Sequence, residues 1–318
     1  MLRYLALRML SAVPTLIGVV AVTFFLLRAL PGDPAVILLG EFATDESLAA
    51  LRAELNLDRP VAAQFAEYVR GILTLDFGNS AITKQPVVDV LRPAILPSLY
   101  LAIAGVVFAA LIGVPAGVTS AVRQGSWVDY SVMLFTIGGI SFPVFWVGLV
   151  AIVTISANFA YFPATGSGVV GDVASTVRHL ILPAIVLGFA VAAYIARLTR
   201  SAMLEVLRQS YVTAAESLGI PRRKVILRFA LRNALAPILG VIGVSFAWAI
   251  GNAILVEFVF ARSGLGSLIL RAVSSRDYQL VQAGVLVLAI SVVIVNTLLD
   301  MLNSAVDPRV RASTMGGG

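Results

Sequence analysis

"SYVTAAESLGIPRRK", Ser210–Lys224, is a polar passage set between two long apolar runs, roughly 180–198 and 234–260. Ala214, Ala215 and Leu218 are three and four residues apart, so on a helix they share one face, with Tyr211 on the same side. Gly219 stands where a left-handed residue ends a helix, and Pro221 suits the first turn of the next one. The expected path is helix, sharp bend, helix, with Arg222, Arg223 and Lys224 just behind the bend. A short helix with a small-residue face suits docking into a groove on a partner protein. An interfacial helix held by anionic lipid is the other reading. Two alanines make poor lipid anchors, which favours docking.

Working outward, the chain is apolar almost throughout. Of its 318 residues 59% are apolar and 13% charged, against about half and a quarter in soluble domains. Six runs are long enough to cross a bilayer, at about 9–30, 98–122, 130–160, 180–198, 234–260 and 280–303. The expected class is an all-α integral membrane protein of six transmembrane helices. The third run contains "GGISFPVFW", which predicts a break near Gly138–Pro143. The first run follows Arg3 and Arg8 and exceeds the usual core of a signal peptide, so it reads as an uncleaved span. The closing "STMGGG" reads as a disordered tail.

Loop charges set an orientation. Segment 199–233 holds Arg200, Arg208, Arg222, Arg223, Lys224, Arg228 and Arg232 against Glu205 and Glu216. The positive-inside rule makes it cytoplasmic, and with it both termini, including Arg309 and Arg311, and the turn at Arg123. The net charge of +6 then reflects basic inner loops and the membrane surface, with no nucleic acid as a partner. Segment 31–97 falls outside, with nine acidic and five basic residues. In it "TDESLAALRAEL", capped by Thr44 with Ser47 three residues on, and "AAQFAEYVRGIL" read as two amphipathic helices.

Catalytic chemistry has little to stand on. The chain has no cysteine and one histidine, His179, which removes disulfides, thiolate metal sites and Cys–His catalysis. No G-x-x-x-x-G-K-[ST] phosphate loop and no H-E-x-x-H zinc motif occurs, so neither ATP hydrolysis by that route nor a zinc ligand set is expected. His179, near a helix end, reads as structural. The spans carry sparse polar residues, among them Asn158, Asn252, Glu257, Asn296 and Asp300. Such groups line a path or bond between helices. Asn252 and Glu257 on the fifth run are the path candidates, with Glu257 near an outer gate.

"YVTAAESLG" followed by "IPRRKVILRFALRNALAP" resembles the EAA loop of ABC-importer permeases, in the version of the dipeptide/oligopeptide/nickel family. "LPGDPA" (Leu30–Ala35) resembles the signature of its first, B-type permease, and "LNLDRPVAAQFAEYVRGILTLDFGNS" its outer segment. "EFVFARSGLGSLILRAVSSRDYQLVQAGVL" and "NTLLDMLNSAVDPRV" resemble its last two spans. Thr213 stands where the pattern has its first glutamate, and Ser263 where a proline is usual. The resemblance implies a type I ABC-importer permease fold forming one permease domain over residues 1–318, with both ends inside. It implies a non-catalytic permease subunit of the bacterial inner membrane, carrying peptides or related small solutes. Partners would be a second, C-type permease, two ATPase subunits that hold ATP and Mg, and an extracytoplasmic substrate-binding protein. Tyr211, Thr213, Ala214, Ala215, Glu216, Leu218, Gly219, Arg222 and Arg223 would form the ATPase-coupling set. Against this stand a secondary transporter, which needs a coupling-ion site near the midplane, and a membrane enzyme, which needs a polar catalytic set. Neither has the residues it requires.

Overall fold

A computed structural model describes residues 2–40, 43–169 and 171–306. Arg309, Arg311 and the closing glycine-rich tail lie outside the described residues. In chain order the helices are α1 Leu2–Ala29, α2 Pro34–Leu39, α3 Asp45–Glu54, α4 Val61–Thr74, α5 Val87–Val122, α6 Trp127–Ser141 and α7 Val144–Ala151. They continue with α8 Val173–Leu207, α9 Ser210–Ser217, α10 Arg222–Lys224, α11 Leu231–Val259, α12 Leu265–Ser274 and α13 Tyr278–Val306. Two π-helical turns, Ile152–Ser156 and Val225–Ala230, extend α7 and join α10 to α11. The only β pairing among the described residues is an isolated bridge between Asn79 and Pro86.

Five helices are long and apolar enough to cross a membrane: Leu10–Ala29, Val87–Val122, Val173–Leu207, Arg222–Val259 and Tyr278–Leu299. The run expected as a third span is a helix pair, Trp127–Ser141 and Val144–Ser156, bent by 101°. Pro143 is the cause: it is the N-cap of α7, and the residue before a proline is pushed out of helical geometry. Phe142 accordingly has an extended backbone at ψ 130°. If the pair counts as one span the total is six. Helices α5 and α8, of 36 and 35 residues, are longer than their apolar runs alone.

The described chain forms two compact units. The first comprises residues 1–98 and 263–293. Its core gathers Leu27, Val87, Leu91, Leu265, Ile269 and Tyr278. Polar residues set its joints. Gly32 takes φ +104°, Asp33 caps α2 by accepting the Ala35 N–H at 2.9 Å, and Pro34 fills the first helical position. Arg52 of α3 returns to Asp33 at 2.6 Å. Burial alone would raise the Asp33 carboxyl, but the bonds from Arg52 and the α2 amides hold it below its ordinary value. Thr44 and Ser47 form the expected reciprocal capping box of α3. Buried Ser80 donates to Asp277 at 2.5 Å, and Asp277 in turn accepts the Leu280 N–H at the start of α13.

The second unit comprises residues 99–262 and 294 onward. Within it α5 and α8 approach so closely that small residues are obligatory. A Cβ on Gly117 would stand 2.5 Å from the Ala196 carbonyl oxygen, and one on Gly188 would stand 2.5 Å from that of Gly105. Such small-residue seams let helix backbones pack where lipid gives no hydrophobic drive.

Candidate functional site

Helix α9 is built almost wholly from its own backbone. Gln209 stands at its N-cap without a side-chain bond. The C-terminal end is a complete Schellman turn: Gly219 N–H donates to the Glu216 carbonyl at 3.0 Å and Ile220 N–H to that of Ala215 at 3.2 Å. Gly219 supplies the left-handed φ of +73° that this turn requires, and nothing lies within 4 Å of the Cβ it lacks. Pro221 then caps α10, which runs through the π-helical turn into α11.

Three buried residues fix α9 to its surroundings. Val212, Ala215 and Val225 form one apolar cluster, with Leu207 and Ile220 packed against it. The predicted small-residue face is therefore corrected at Ala215, which is 5% exposed and turned toward its own chain. The reason is size: with Val212 three residues earlier on the same stripe, burying Val212 carries Ala215 inward with it. Tyr211, Thr213, Ala214, Glu216, Leu218, Gly219, Arg222 and Arg223 are exposed. Leu218 stands out at 80% exposure, a large apolar side chain left in the open. Behind α9 the mounting is apolar. Met203 of α8 packs with Ala121 of α5 and with Ala230, Ala234 and Ile238 of the span that follows.

An ion pair not anticipated from the sequence stands in the same unit. Arg200 of α8 donates through Nε and Nη2 to the two oxygens of Asp129 at 2.7 and 2.8 Å. Asp129 also accepts from the Ser120 hydroxyl and from the Gly125 N–H at 3.0 Å. Four contacts thus tie the end of α5, the turn after it and the start of α6 to α8, about ten residues before α9 begins. A bidentate guanidinium–carboxylate pair adds direction as well as attraction. The only hint in the sequence is Asp129 itself, three residues after Ser126, which caps α6.

The two path candidates, Asn252 and Glu257, both lie on α11. Glu257 is 1% exposed within the second unit, with the equally buried Arg262 as its charge neighbour. Arg262 also donates to the His179 carbonyl at 2.7 Å. Burial holds the Arg262 guanidinium below its ordinary value, and the Glu257 charge opposes that shift. Glu257 is therefore a packed carboxylate of this unit. Asn252 is half-buried and spends its amide on the Trp248 carbonyl of its own helix. Among the described residues no group of three or more His, Cys, Asp or Glu could hold a metal.

Long apolar spans, with an exposed short helix joined to two of them, define an integral membrane protein. Residues 113–312 match the family described as binding-protein-dependent transport system inner membrane component, and residues 1–91 match its N-terminal region. The chain belongs to that family. It is 37% identical to the dipeptide transport system permease protein DppB of Alkalihalophilus pseudofirmus, over 98% of this chain and 100% of that one. It is 36% identical to the glutathione transport system permease protein GsiC of Salmonella choleraesuis, over 98% and 99%. Among solved structures, an inward-facing MetNI methionine ABC transporter chain aligns with 68% of this chain and 96% of its own length. Its TM-score is 0.57 at 19% identity, which bears on fold alone. The protein is thus a non-catalytic, multi-pass inner-membrane permease subunit of an ABC importer. Such importers work with permease and ATPase partner subunits and a substrate-binding protein.

Proposed function

We propose that this chain forms half of the transmembrane pathway of a peptide importer, for di- or oligopeptides or a related small solute, and that α9 receives the stroke of a partner ATPase. A second, C-type permease supplies the other half. Two ATPase subunits hold ATP and Mg, and an extracytoplasmic protein delivers the cargo. The full-length likeness to dipeptide and glutathione permeases supports the cargo class.

The observation that carries the coupling role is the pairing of a locked inner face with an open outer one. Val212, Ala215 and the Schellman turn fix α9 to α8 and α10, while Tyr211 and Leu218 stay exposed. A force applied to α9 would therefore pass into α8 and α11 as a rigid displacement rather than being lost in a flexible loop. Arg222 and Arg223 add an exposed basic flank. Both termini and segment 199–233 lie inside in this reading, and segment 31–97 lies outside.

Single cysteines at Ala50, Ser126 and Ser210, in a chain that has none, test the arrangement. Only the first should react with an impermeant thiol reagent added outside. With the ATPase present, the cysteine at 210 should crosslink to it. Labelling of position 210 from outside would defeat both the orientation and the docking role.

A further inference from the structure

The first unit holds a half-open cavity of about 730 Å³. That volume is within the range of roughly 300–1,000 Å³ usual for small-molecule sites. Its wall includes Arg28, Gln64, Tyr68, Asp76, Arg276 and Gln282. Two buried polar atoms on that wall have no hydrogen-bond partner: the Gln282 amide nitrogen and the Tyr68 hydroxyl. Gln282 is only 5% exposed, so its orphan donor cannot be dismissed as solvated. A buried donor left unmade costs about 1–3 kcal/mol, and such sites call for an explanation. Burial pushes Tyr68 up to about 12, with nearby Arg28 opposing, so its hydroxyl keeps its proton at neutral pH and remains a donor.

The wall carries both signs of charge, and a cation, Arg28, stands near the Tyr68 hydroxyl. Arg28 donates to the Gln64 side chain at 2.7 and 2.9 Å and to the Phe24 carbonyl, all neutral acceptors. Among the described residues its cation has aromatic faces, Phe24 at 3.5 Å and Tyr278 at 5.8 Å, but no carboxylate. Gln64 is itself fixed by donating to the Arg59 carbonyl at 2.9 Å, so the guanidinium is held in place. Two neutral donors and a fixed cation without a counter-ion are what a carboxylate would satisfy. Acidic residues such as Asp76 on the same wall suit a positive group at the other end of the ligand.

We propose that this cavity is a binding site for the terminal carboxylate of a short peptide, received by Gln282, Tyr68 and Arg28. The site belongs to this chain and does not require the ATPase. The choice of a peptide as the carboxylate's carrier rests on the peptide-import reading above.

The test uses the assembled importer in detergent, titrated with Ala-Ala, its C-terminal amide Ala-Ala-NH2 and short-chain phosphatidylglycerol, followed by calorimetry. Ala-Ala should bind saturably without the substrate-binding protein, and the amide at least about tenfold more weakly, since a bond to a charged acceptor is being lost. Gln282→Leu and Tyr68→Phe should each weaken Ala-Ala by about tenfold while leaving ATPase capture unchanged. Equal binding of acid and amide, no effect of either variant, or no binding at all would overturn the site. So would heat from phosphatidylglycerol alone, which would assign the cavity to a lipid headgroup. Dipeptide uptake by reconstituted vesicles is measured in parallel. Binding without uptake would unseat the cargo reading and leave the site standing, whereas uptake without binding would do the reverse.

Discussion

Segments 31–97 and 199–233 are the two polar interruptions of an apolar chain, and they are held in opposite ways. The second rests on backbone and grease: a Schellman turn at Gly219 and the cluster of Val212, Ala215 and Val225. What it leaves unfinished faces outward, as exposed Tyr211 and Leu218. The first rests on side-chain polar bonds, Thr44 with Ser47, Arg52 with Asp33, Arg28 with Gln64 and Ser80 with Asp277. What it leaves unfinished is turned to a cavity shared with α13, as the unpartnered donor of Tyr68 beside that of Gln282 on α13. The contrast separates an element suited to being gripped and moved from one suited to enclosing something.

If α9 is a rigid lever, its mounting should matter more than its surface for stability. Asp129→Ala removes the carboxylate from a mostly buried pair and should cost about 3 kcal/mol, measured by reversible denaturation in mixed micelles. Asp129→Leu combined with Arg200→Met should recover much of that loss, because the uncompensated charge goes as well. A single variant as stable as the parent would show that the mounting is not where the rigidity lies.

Smaller losses are expected on α9 itself. Ala215→Trp overfills a packed cluster and should cost about 1–3 kcal/mol. Gly219→Val forces a β-branched residue into the left-handed region at about 1–2 kcal/mol. Both should weaken ATPase co-purification by displacing α9, with the variants still inserted and still paired to their permease partner. Retention of full ATPase binding in both would remove the rigid joint from the account.

The smallest effects belong to segment 31–97. Thr44→Ala deletes one half of a capping box and should cost about 1 kcal/mol, read from amide exchange along α3. Asp33 has its carboxyl below the ordinary value, first against its burial and then through Arg52 and the α2 amides. A depressed folded value means that its contribution is present above the unfolded value of about 3.9 and is lost as pH falls through the folded one. Exchange in α2 and α3 should therefore quicken on acidification below about pH 4 in the parent and much less in Asp33→Asn. Identical acid responses in the two proteins would remove Asp33 from the description of that joint.

Local chemistry was legible in the sequence, and facing was less so. Thr44 and Ser47, the break at Pro143 and the left-handed Gly219 each depend on a few neighbouring residues, and each is where its spacing predicted. Ala215 was expected on the open face of α9 and is buried. A helix of eight residues does not say which stripe is buried until Val225, ten residues after Ala215, closes over it. Glu257 was singled out because a carboxylate in an apolar run is costly, and the spacing did not reveal Arg262, five residues on, as its charge neighbour. Asp129 was missed for the opposite reason, since its partner Arg200 lies 71 positions away. The cavity wall was invisible for the same reason, being assembled from α1, α4 and α13.

The central claim, that the exposed face of α9 is the surface gripped by an ATPase, is tested most directly by Leu218→Ser. Leu218 is 80% exposed, so the change should alter the stability of the permease by no more than about 0.5 kcal/mol. Folding and ATPase capture are therefore separable in one variant, with capture read by co-purification and uptake by reconstituted vesicles. The account predicts a normally stable, correctly inserted permease that loses ATPase capture or hydrolyses ATP without uptake. Parental capture and parental uptake together would contradict it.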